Sequence, residues 1–109
     1  MPEAPTEVHP GPDDAELELR TVLTLKTREQ YAAARAGRGG AQTAEDAWQR
    51  AVEFLFERLA VRWSSAGVDY AGPKDLLLRF RAATQAERRW VRDVLRAHLA
   101  EHFPDVEAP

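Results

Sequence analysis

The chain has 109 residues, a formal net charge of −3 and no cysteine. This length suits one domain rather than two, and the missing cysteines exclude disulfides and thiolate chemistry. Hydrophobic residues make up 44% of the chain, enough for a core, but no run approaches the ~18–20 apolar residues of a membrane span and the N-terminus lacks the basic and apolar regions of a signal peptide, so a soluble, cytoplasmic protein is expected.

Residues 1–14 hold Glu3, Glu7, Asp13, Asp14, four prolines and no Lys or Arg. Such a stretch offers little apolar surface to offset ordering entropy, and it reads as a disordered, acidic and Pro-rich tail. Residues 104–109 carry Asp105 and Glu107 without a base and read as a frayed tail. The remainder sets 12 acids against all 15 bases. Thirteen of those bases are Arg, partly the Ala/Arg bias of a GC-rich, bacterial-type composition.

"ELELRTVLTLK", Glu16 to Lys26, alternates at period two. Leu17, Leu19, Thr21, Leu23 and Leu25 share one side, which predicts a half-buried strand with Leu19 to Leu25 at its heart. Thr27 and Gln30 have capping-box spacing and open a short, Ala-rich helix that ends at Gly37. "GRGGAQ" is a link. Thr43 caps a second, long helix that runs to Gly67. Its apolar stripe is Trp48, Val52, Leu55, Leu59 and Trp63, widened by Phe56 and Ala60 on one flank and by Ala47, Phe54 and Val61 on the other. So wide a surface marks either a central helix or one that meets a second chain. Pro73 suits the first turn of a third helix. Thr84 with Glu87 opens a fourth, which Pro104 ends.

The expected fold is therefore mainly α: one helical domain over residues 15–103, with roughly four helices and one N-terminal β-strand. A lone strand leaves backbone groups unpaired. Val68–Tyr70 is too short to satisfy it, so pairing with the same segment of a second copy is expected. Leu19, Thr21, Leu23 and Leu25 would form that homodimer interface, covering the Phe54 and Val61 flank of the second helix.

The order strand, short helix, glycine link, long helix over Glu16 to Trp63 resembles the ribbon-helix-helix DNA-binding regulators. The resemblance implies two strands paired across a dimer, with their polar face in the major groove. Arg20, Thr24 and Lys26 suit that role, whereas Glu16 and Glu18 on the same face oppose phosphate. A second basic feature lies on the last helix, where Arg89, Arg92 and Arg96 share one face. A solvated face relieved by Asp93 is the expected account of it.

His98 and His102 stand four apart on that helix and share a face, a spacing that can hold a metal. The flanking glutamate of the "HExxH" pattern is missing, and His9 falls in the tail, so a hydrogen-bonded imidazole with no metal is the expectation. The aromatic set Trp48, Phe54, Phe56, Trp63, Tyr70, Phe80 and Trp90 reads as core. Ser64 and Ser65 lack a nearby histidine or glycine elbow, and Glu53 and Glu57 have arginines within helical reach. The chain thus reads as a small non-catalytic protein-interaction module without cofactor. Its partner would be a second copy or another protein, with no membrane. A DNA-binding regulator is the alternative, and a small-ligand or metal-binding protein the second alternative.

Overall fold

The computed structural model describes residues 5–37 and 43–109, so most of the glycine link and the first four residues lie outside it. The described residues form a four-stranded antiparallel sheet and four α-helices. This corrects the expectation of a single strand: the fold is α+β. The strands are β1 (Thr6–Pro10), β2 (Glu16–Arg20), β3 (Ala60–Ser65) and β4 (Val68–Ala71), adjacent in that order. The helices are α1 (Leu25–Arg35), α2 (Ala44–Leu59), α3 (Pro73–Arg81) and α4 (Gln85–His102).

The missing strand partners are all in cis. β2 lies between β1 and β3, so both its edges are paired within one chain and the two-fold ribbon has no free strand to form it. β1 occupies the stretch that composition marks as a tail. It turns into β2 through a short 3-10 turn at Pro12–Asp14, closed by Gly11 N–H donating to the Ala15 carbonyl at 2.7 Å. β2 stops at Arg20 rather than Leu25, because the Thr24 hydroxyl accepts from the Thr27 N–H at 3.1 Å and caps α1 instead.

α2 ends at Leu59, not at Gly67, and the chain turns directly into β3. Leu59 and Trp63 are four apart, a spacing that fits one helical turn and equally two strand repeats. Against β2, Glu18 faces Arg62 and Leu19 faces Ala60, so Val61 is an extra residue in a β-bulge. The bulge lets both Ala60 and Trp63 turn to the covered face, where both are buried. Ala66 and Gly67, with φ of 51° and 79°, close the β3–β4 hairpin.

One sheet face is covered. Leu17, Leu19 and Trp63 point into it and join Leu55, Phe56, Leu59, Val91, Leu95 and Leu99 in the core. The other face is wet, with Arg62 between Glu16, Glu18 and Asp69. α2 is the central helix, packed on α1, α3, α4 and β3, which explains its wide apolar surface without a second chain. Thr43 caps α2, Pro73 begins α3, and Thr84 with Glu87 forms a full capping box on α4.

The residues assigned to a dimer face are dispersed. Leu19 is fully buried inside its own chain, while Leu23 and Phe54 pack partly against the same core. Val61 sits at the bulge. Thr21 lies past β2 and its hydroxyl donates to the Pro5 carbonyl at 3.2 Å. Leu25 opens α1 and is 72% exposed. The C-terminal residues, expected to fray, lie along α1: Arg28 pairs with Asp105 at 2.6 Å, Arg35 with Glu107 at 2.5 Å, and the Tyr31 hydroxyl donates to the Glu107 carbonyl at 2.6 Å. Among the described residues no helix is long and apolar enough to cross a membrane.

Candidate metal centre

β1 alternates, so Glu7 and His9 point to the same side of the sheet. Their cross-strand partners are Leu19 and Leu17, both buried, so that side is the covered one. α4 packs there with His98 and His102 one turn apart. All three histidines of the chain meet at this point, with Glu7 among them.

His98 is fully buried. Its Nε2 lies 2.8 Å from the Arg20 carbonyl, which only accepts, so Nε2 carries the proton. Its Nδ1 then presents a lone pair and accepts from His9 Nε2–H at 2.9 Å. His102 Nε2–H donates to Glu7 Oε2 at 2.8 Å, and His9 Nε2 lies 3.3 Å from Glu7 Oε1. The rings of His9 and His98 meet edge to face, with centroids 5.0 Å apart.

The environment sorts the charges. Burial holds the His98 pKa below its usual value, assisted by His9 and His102 and opposed by the Arg20 carbonyl. Its Nδ1 lone pair therefore stays available below the usual imidazole range. The hydrogen bond from His102 holds the Glu7 carboxyl below the usual carboxylate range, with burial opposing. The result is one neutral buried imidazole, two part-exposed imidazoles and an ionised carboxylate.

This donor set suits a borderline divalent cation. Ligand atoms of Glu7, His98 and His102 lie within 4.8 Å of one another, and His9 Nε2 touches two of the three residues. Zinc–nitrogen bonds of about 2.0–2.1 Å place tetrahedral donors roughly 3.3 Å apart. The His9–His98, Glu7–His102 and Glu7–His9 separations of 2.9, 2.8 and 3.3 Å are near that value, whereas the Glu7, His98 and His102 donors as a group spread over up to 4.8 Å and would have to draw in around an ion. Moving the Nε2 protons of His9 and His102 to Nδ1 would free both lone pairs without net loss of charge. His98 already has the outer-shell contact typical of ligating histidine, its second ring N–H on a backbone carbonyl.

The residues set aside for DNA do not form one surface. Arg20 donates to the Arg58 carbonyl at 3.2 Å, Thr24 caps α1, and Lys26 lies exposed on that helix. Arg89 and Arg92 border a cleft against α2, whereas Arg96 donates to the Pro109 carbonyl at 3.0 Å. The strand face that the ribbon-helix-helix resemblance requires ends at Arg20 and is paired on both edges. Nothing in the acidic, Pro-rich stretch around Glu7 and His9 marks them as site residues; only the pairing of β1 with β2 brings them to α4. Comparison with protein-family models, curated proteins and solved structures gives no match.

Proposed function

We propose that this chain is a small, non-catalytic metal-binding protein that holds one divalent transition-metal ion of the zinc class through Glu7, His9, His98 and His102. The observation that carries this reading is the convergence of every histidine in the chain on Glu7, with the most buried imidazole fixed in a ligating tautomer. Four protein donors leave no open position for a substrate, so the ion would act structurally or as a sensed ligand. It would tie β1, at one end of the chain, to α4 near the other. A cytoplasmic setting is the one that the cysteine-free composition supports. Contact with another protein has less support, because the exposed apolar side chains Val8, Val22, Leu25, Val68 and Leu78 lie on five different segments.

The test is calorimetric titration of Zn2+ into the chelator-stripped full chain near neutral pH, with thermal denaturation alongside. One equivalent should bind and raise the midpoint, since saturation at a hundredfold over Kd stabilises by about 2.7 kcal/mol. Co2+ in its place should give the intense visible absorption of a tetrahedral centre. His9→Ala and His102→Gln should each weaken binding by more than the roughly tenfold typical of an outer-shell change. No saturable binding at micromolar Zn2+, or binding that survives both substitutions, would overturn the reading.

A further inference from the structure

We infer that the cleft between α2, α3 and α4 is a binding site for a small phosphomonoester with an aromatic or apolar body. The cleft encloses about 420 Å³, a volume that suits one small molecule. It lies toward the start of α4, on a different stretch of that helix from His98 and His102, and the inference does not depend on the metal reading.

The cleft is strongly cationic. Arg81, Arg88, Arg89 and Arg92 line it against one carboxylate, Glu53, which Arg81 engages at 2.7 Å. Arg88 donates to the Arg81 carbonyl at 2.6 Å. Arg89 and Arg92 have no acidic partner among the described residues. All four cations are arginine, whose planar fork matches two oxygens of a phosphate at once.

Arg92 is the specific pointer. Its guanidinium stands over the Trp48 ring at 5.1 Å, which fixes its plane. Its Nε is buried and has no hydrogen-bond partner among the described residues. Nearly all buried N–H groups are paired, and an unpaired donor on a cation is costly. The rest of the side chain is only half-buried, so a turn of the guanidinium toward the cleft would present the Nε–Nη edge to an oxyanion and satisfy it. The body of the ligand would meet Val52 and Phe80, two buried apolar side chains that also line the cleft, with Trp48 as a wall. A half-open cleft of this size seats one small ester, with its apolar wall on one side and the arginines on the other.

The full chain, labelled with 15N, is titrated with phenyl phosphate, adenosine 5′-monophosphate, inorganic phosphate, adenosine, benzoate and a short DNA duplex. The Nε–H resonance of Arg92 and tryptophan fluorescence are followed. At least one phosphate ester should move both signals saturably and bind roughly tenfold or more tightly than inorganic phosphate, adenosine or benzoate. The better of the two esters distinguishes a nucleotide from a simple aryl phosphate as the source. Arg92→Gln should weaken it by about 10- to 100-fold, the loss of a charge-assisted hydrogen bond. Should that variant fail to fold, Arg89→Gln, an exposed change, should weaken binding in the same direction. Three results would overturn the inference: no saturation by either ester at millimolar concentration, benzoate binding as tightly as phenyl phosphate, or a response to the duplex alone, which would make the arginines a nucleic-acid surface.

Discussion

Replacing Gly11 with alanine should destabilise the fold and loosen the histidine cluster together. The Gly11 backbone is extended, with φ of −140°, so an alanine there is not strained by conformation. The obstacle is contact. A Cβ at this position would lie 2.3 Å from Trp90 Cζ2, 2.4 Å from Cε2 and 2.8 Å from Nε1. Carbon atoms settle at about 3.5–4.0 Å, so the overlap exceeds about 1 Å against a rigid ring. Either the indole swings away from Trp63, whose ring centroid is 6.1 Å from its own, or the β1–β2 turn lifts off α4. Overpacking of this kind costs about 1–3 kcal/mol. For a domain near this size that lowers the thermal midpoint by about 5–20 °C. Lifting the turn also carries His9, two positions away, off His98, so Zn2+ affinity should fall even at temperatures where the variant is folded. Far-ultraviolet circular dichroism gives the midpoint and calorimetry the affinity. A midpoint within about 1 °C of the parent would show that the β1–β2 turn does not pack on Trp90 as described.

The Tyr31 phenol, buried and bonded to the Glu107 carbonyl, is pushed up to about 12, chiefly by burial, with Arg35 opposing and Glu107 assisting. The folded state thus keeps a proton that the unfolded chain releases from pH 10 upward. Its stabilising contribution is whole below pH 10 and is lost as pH rises toward about 12, a change of about 2–3 kcal/mol. The difference in stability between parent and Tyr31→Phe, followed by denaturant titration, should shrink over that window; a difference independent of pH would refute it. Thr84→Ala removes the hydroxyl that accepts the Glu87 N–H at 3.1 Å and should cost about 0.5–2 kcal/mol in the same assay. No loss would mean that the capping box does not hold the start of α4.

Some of this was legible in the residues and some was not, for reasons particular to each segment. Helix starts carry local chemistry, so Thr43, Pro73 and the Thr84–Glu87 pair could be read directly, but at α1 the expected cap Thr27 lies inside the helix and Thr24 takes its place. The α2–β3 boundary could not, because Leu59 and Trp63 satisfy both periods and no proline or glycine marks the change. β1 was hidden between Pro5 and Pro10 in an acidic stretch. Its pairing with β2 supplies an order that its own composition does not. Half of the candidate metal centre was visible as the helical spacing of His98 and His102. Glu7 and His9 carry the strand spacing that completes it, but only the sheet brings them to α4. The Arg89 and Arg92 pair was visible as a basic face. Its concavity depends on where α2 and α3 lie, and that is a tertiary fact.

The joining of the two ends of the chain has a consequence for how the molecule is made. The bridge from His9 to His98 spans 89 positions and that from Glu7 to His102 spans 95. At synthesis rates of about 5–20 residues per second, His98 follows His9 by roughly 4–18 s. Through that interval β1 has no helix to rest on, and β2 lacks β3 until α1 and α2 have been made. The loop to be closed is long, which lowers the rate of such contacts far more than their final stability. The histidine cluster is therefore among the last features to form, and its closure marks a chain whose sheet and fourth helix are already in place. A ligand held there would engage only chains in which β1 and α4 have already met.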